Sequence, residues 1–137
     1  MSSDGNGSFA PPPTYRASRR RRILVVDDNI DAAESLAVLL THMGHDVQVA
    51  HDGRAALEAS RLTHPQLVLL DLGMPGVDGY NVVERLRRED GFDSIPFIAV
   101  TGHDGPEARR RTREAGFDEH LVKPVSLDAL RKLLERF

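Results

Sequence analysis

Two kinds of apolar spacing alternate along residues 22–137. Short continuous runs, rich in β-branched residues and of strand length, occur at ILVVD (23–27), DVQVA (46–50), QLVLL (66–70), PFIAVT (96–101) and EHLV (119–122). Segments with helical spacing follow each of them. In DAAESLAVLLTHMG (31–44), Ala33, Leu36, Ala37, Leu40 and Met43 share one face, and Gly44 offers a stop. GRAALEASRLT (53–63) and YNVVERLRRE (80–89) repeat the pattern. PEARRRTREAG (106–116) opens with proline in its first turn, and SLDALRKLLERF (126–137) begins with a serine cap.

Five strand–helix units in succession predict an α/β fold with a parallel sheet covered on both faces. Right-handed crossovers make this a doubly wound five-stranded sheet with five helices. An eight-stranded barrel needs roughly twice the length. The recurrence is of secondary structure alone, which excludes a solenoid of repeated sequence.

Composition narrows the function classes. The chain of 137 residues suits one domain. No apolar run approaches the ~18 residues of a membrane span, and the polar, Pro/Gly-rich start MSSDGNGSFAPPPTY lacks a signal core. The absence of cysteine removes disulfides and thiolate metal sites and fits a cytoplasmic location. The histidines are scattered, which argues against a His-based metal site. Charge is asymmetric: residues 1–22 hold five of the 18 basic residues and one of the 21 acids, leaving 13 basic and 20 acidic positions beyond. Residues 1–21 therefore read as a disordered basic tail on an acidic domain spanning 22–137. Such an arm could touch nucleic acid or headgroups. Without interleaved aromatics or helical periodicity, a solvated tail is the preferred reading, so neither a membrane nor a nucleic-acid partner is expected.

In open α/β sheets the ligand site lies beyond the carboxyl ends of the strands. The first strand delivers Asp27 and Asp28 there, the third Asp71, the fourth Thr101 and the fifth Lys123–Pro124; the second, ending in Ala50–His51, offers less. Taken singly, an acid after a strand is often a cap or a turn residue. Convergence changes the reading. Two carboxylates ~4 Å apart repel by about 4 kcal/mol at an effective dielectric near 20, so three must protonate, separate or hold a cation. All-oxygen ligation favours a hard ion such as Mg²⁺, which keeps waters that phosphoryl oxygens can replace. With Lys123 and Thr101 opposite, Asp71 sits in the setting for nucleophilic attack on phosphorus.

These motifs resemble those of receiver domains of bacterial response regulators, the phosphoacceptor modules of two-component signalling. ILVVDDN resembles the acidic pair, LVLLDLGMPGVDG the phosphoacceptor strand and loop, FIAVTG the switch threonine and HLVKP the lysine–proline step. The intervals from Asp71 to Thr101 (30) and to Lys123 (52) match as well. The resemblance implies a flavodoxin-like strand order of 2-1-3-4-5. It implies that Asp71 accepts a phosphoryl group from a histidine kinase, a histidine phosphotransfer protein or a small phosphodonor. Asp27, Asp28, Asp71 and the Gly73 carbonyl would hold Mg²⁺. Thr101 and Lys123 would contact the phosphoryl group, across a cis Lys123–Pro124 peptide. The chain would be a signalling phosphoacceptor rather than an enzyme. With no output domain after the fifth helix, it would act on a downstream effector through the fourth helix, fifth strand and fifth helix.

Three positions depart from the usual pattern. His120 stands where the family has an aromatic switch residue, and is otherwise a polar residue on the sheet edge. Gly73 and His103 occupy the places that tune dephosphorylation. The fourth helix carries Arg109, Arg110, Arg111 and Arg113 beside a thin stripe of Ala108, Thr112 and Ala115: either a solvated face or a docking one. A haloacid-dehalogenase-like phosphatase is the enzymatic alternative. It expects its nucleophile after the first strand and an acid two residues beyond, where Asp71 is followed by Gly73.

Overall fold

A computed structural model describes residues 20–74, 76, 78–89 and 91–137. The expected tail lies outside the described residues apart from Arg20 and Arg21. Those two are tied to the domain. Arg20 forms an ion pair with Asp46, and the Arg21 carbonyl accepts the Asp46 N–H at 2.9 Å.

The elements run β1 (Arg22–Val26), α1 (Ile30–His42), β2 (Asp46–Ala50), α2 (Gly53–Thr63), β3 (Leu67–Asp71), α3 (Gly79–Arg87), β4 (Phe97–Thr101), α4 (Pro106–Ala115), β5 (Glu119–Val122) and α5 (Leu127–Arg136). All four strand pairings are parallel, and the sheet order is β2-β1-β3-β4-β5. The doubly wound, flavodoxin-like arrangement is therefore as the sequence predicts.

Continuous apolar runs arise because the central strands are buried on both sides. Alternate side chains go to opposite faces. Leu24, Val26, Val68, Leu70, Phe97 and Ala99 pack with Ala56, Val83 and Leu86 of α2 and α3. Ile23, Val25, Leu67, Leu69, Ile98 and Val100 pack with Ala33 and Leu40 of α1 and with Leu130, Leu133 and Leu134 of α5. At the β2 edge, Val47 and Val49 are half-buried while Gln48 is exposed, which explains its alternating sequence.

Four of the five helices, α1, α2, α3 and α5, start under a side-chain cap close to the carboxyl edge. Asn29 accepts the Ala32 N–H (3.0 Å), Asp52 that of Ala55 (2.7 Å), Asp78 that of Tyr80 (3.0 Å) and Ser126 that of Ala129 (3.1 Å). Pro106 opens α4, and Gly116, at φ 110°, ends it in the left-handed conformation that favours glycine. The α3 start lies so close to β3 that a Cβ on Gly79 would meet Leu72 at 2.7 Å and Leu70 at 2.9 Å. Of the α4 residues only Thr112 is fully buried, so this helix is the most shallowly seated of the five.

Candidate functional site

Sheet register brings the predicted residues to one edge. Val26 lies opposite both Ala50 and Leu70, Asp71 opposite Val100, and Thr101 opposite Val122. Asp27 is one residue past β1 and Lys123 one past β5, so both reach the edge where β3 ends on Asp71. Asp27 and Asp71 are 7% and 4% exposed, whereas Asp28 is open to solvent. One carboxylate oxygen from each of the three lies within 4.8 Å of the others.

Among the described residues, one ammonium faces this cluster. Lys123 Nζ lies 2.8 Å from Asp71 Oδ1, and the Gly73 N–H donates to the same oxygen at 2.8 Å. Lys123 is fixed from behind by its own N–H, which donates to the Thr101 carbonyl at 2.8 Å. One cation against three carboxylates leaves negative charge in surplus. Burial, and then the neighbouring Asp71, raise the Asp27 carboxyl above its ordinary range. The Asn29 N–H, donating to Asp27 Oδ1 at 3.0 Å, opposes that rise, as does Lys123. Three convergent oxygen donors with surplus negative charge suit a hard divalent cation, and Mg²⁺ fits that donor set.

The departures acquire definite surroundings. A Cβ at Gly73 would lie 3.3 Å from Asp71 Oδ1 and 3.5 Å from Lys123 Nζ, so any side chain there would stand over the carboxylate. Thr101 is buried, and its hydroxyl accepts the His103 N–H at 3.1 Å while the His103 residue is exposed. His120 is buried rather than turned to solvent at the edge. Its Nε2 lies 3.2 Å from Asp104 Oδ1. Arg109 Nη2 meets the same oxygen at 2.7 Å. His120 and Arg109 hold the Asp104 carboxyl below the usual carboxylate range. The Lys123–Pro124 peptide is cis.

Two residues escaped the sequence reading. Asp104, three positions beyond Thr101, could have been noticed only as an acid five residues ahead of Arg109. His51 was placed at the carboxyl end of the second strand and discounted there, yet its Nδ1 lies 2.9 Å from the Asp27 carbonyl oxygen.

The family profile described as response regulator receiver domain matches residues 23–135. The chain is 41% identical over 121 residues to the probable transcriptional regulator ycf27 of Cyanophora paradoxa, covering 85% of this chain and 49% of that protein. It is 40% identical over 119 residues to the response regulator MprA of Mycolicibacterium vanbaalenii, covering 84% of this chain and 51% of that one. The chain thus spans about half the length of these curated relatives. Among solved structures, the chemotaxis protein CheY4 of Vibrio cholerae superposes with a TM-score of 0.81 at 28% identity, covering 86% of this chain and 98% of that one.

Proposed function

The chain belongs to the response regulator receiver family, and on that premise we propose that Asp71 is its phosphoacceptor. The reading is carried by one observation: three carboxylate oxygens within 4.8 Å of one another, with Lys123 Nζ 2.8 Å from Asp71. Asp27, Asp28, Asp71 and the Gly73 carbonyl would hold Mg²⁺, which when bound supplies the positive charge that phosphoryl oxygens need.

A carboxylate oxygen of Asp71 forms the new bond to phosphorus. The bond from phosphorus to the donor breaks, and its electron pair leaves with the imidazole of a phosphohistidine or with the acetate of acetyl phosphate. Lys123, already paired with Asp71, stays beside the transferred group and balances its charge. The β3 strand is buried along its whole length, so the attacking group is held by a rigid element. Glycine at position 73 leaves the carboxylate open to the incoming donor and afterwards to water. The exposed His103 stands at the loop where that water would be oriented.

The donor is a histidine kinase or a histidine phosphotransfer protein. Switching would draw the Thr101 hydroxyl away from the His103 N–H toward the phosphoryl group, disturbing the loop that Asp104 ties to His120 and Arg109. The response would reach a downstream effector at α4, β5 and α5, where α4 presents Arg109, Arg110 and Arg113 from a shallow seat. Incubation with Mg²⁺ and acetyl phosphate, read by intact mass, should give one phosphoryl adduct in the wild type and none in Asp71→Asn. An adduct that persists in Asp71→Asn would sink the assignment.

A further inference from the structure

The acidic pair is held on its β2 side by a side chain. The Asp27 N–H donates to the Ala50 carbonyl at 3.0 Å, the last rung between β1 and β2. Past that rung the chain turns into α2, which begins at Gly53 with Asp52 as its cap. The Asp27 carbonyl meets the His51 ring instead, with Nδ1 at 2.9 Å. A carbonyl oxygen only accepts, so a hydrogen bond of this geometry requires the proton on Nδ1. With Asn29 N–H on Oδ1, three groups of Asp27 are thereby fixed: amide, carbonyl and carboxylate.

His51 is not one of the clustered carboxylates, and its hydrogen bond runs to the main-chain carbonyl of Asp27. Its contact fixes the peptide plane between Asp27 and Asp28. That plane sets where the Asp28 carboxylate stands, and Asp28 is exposed with no burial to hold it. Orienting ligands in this way tightens metal binding without contact to the metal. We propose that His51 is a positioning residue for the Asp27–Asp28 pair, preorganising it for Mg²⁺; this rests on the phosphoacceptor reading above.

Two measurements on the full chain test it. Amide NMR titration with Mg²⁺ alone should give His51→Ala an affinity about tenfold weaker than wild type. His51→Asn, whose side-chain amide places a donor near the Nδ1 position, should recover most of the loss, whereas a merely space-filling role would not be restored by so small a side chain. Independently, ¹⁵N shifts of the neutral wild-type ring should report the Nδ1–H tautomer. Wild-type binding that His51→Ala leaves unchanged overturns this proposal alone, and so does an Nε2–H tautomer. A wild type that does not respond to Mg²⁺ overturns the metal-dependent reading and this proposal with it. Should His51→Ala fail to fold, the tautomer still decides.

Discussion

Two ion pairs sit at opposite edges of the same sheet, and their surroundings differ in kind. At the amino edge, Arg87 of α3 lies 2.7 Å from Asp118, just ahead of β5. Its guanidinium also donates to the carbonyls of Phe92 (3.2 Å), Asp93 (3.1 Å), Ile95 (2.7 Å) and Gly116 (2.8 Å), and lies 4.3 Å over the Phe97 ring. Asp118 in turn accepts the Phe97 N–H at 2.8 Å. Charges and donors are matched, and the cluster ties the end of α3 to the starts of β4 and β5. At the carboxyl edge Lys123 meets Asp71 at a similar distance, but two further carboxylates share the space. The first arrangement is complete as it stands; the second still needs positive charge. A satisfied polar cluster rigidifies a fold, while an unbalanced one stores the capacity to bind.

Arg87→Ala removes a guanidinium from five oxygen partners and should cost about 3 kcal/mol in urea unfolding. Acetyl phosphate should still label the folded fraction. Loss below about 1 kcal/mol would mean that the amino edge is not the staple described.

The carboxyl edge should respond to a cation instead. Saturating Mg²⁺, at about 100 times its dissociation constant, should raise stability by about 2.7 kcal/mol. Asp27→Asn should abolish that increment. In the absence of the cation it should leave the fold as stable as wild type or more so, because a like charge is gone and Asn29 keeps an acceptor. A clear destabilisation in metal-free buffer would contradict the surplus of negative charge.

The smallest expected effect separates the edges by pH. Burial, and then the charge of Arg21, lower the ring pKa of His45 at the amino edge. Its Nδ1 accepts the Arg21 N–H at 3.2 Å, a bond that only the ring with Nδ1 unprotonated makes. The unfolded chain takes up a proton as pH falls through about 6.5, while the folded state resists. This contribution is complete above that pH and declines below it, by at most about 1.4 kcal/mol per pH unit. Urea midpoints at about pH 7.5 and 5.5 should therefore converge in His45→Asn, which retains an acceptor. Asp27 runs the other way: its raised value favours the folded state while protonated, and that advantage fades as pH climbs through the folded pKa.

Much of the fold and most of the candidate site were legible in the chain. Burial on both faces forces a strand to be apolar along its length, so ILVVD, QLVLL and PFIAVT declare a parallel sheet by themselves. A parallel sheet sends every strand's carboxyl end the same way, which is why Asp27, Asp28, Asp71, Thr101 and Lys123 could be grouped from spacing alone. Arg20 and Arg21 share the composition of the expected tail, and the approach of Asp46 and His45 ties them to the sheet.

What the tertiary structure decided are contacts between residues far apart in sequence, whose pairing no local pattern encodes. His51 reaches Asp27 across 24 positions, His120 reaches Asp104 across 16, and Arg87 reaches Asp118 across 31. Each is made where one strand ends or begins beside another, so its partner is set by sheet register and by the path of a loop. The sequence determined which edge carries the chemistry, because periodicity and burial impose that on every strand alike. Which side chains hold that edge in shape followed only once the strands lay side by side.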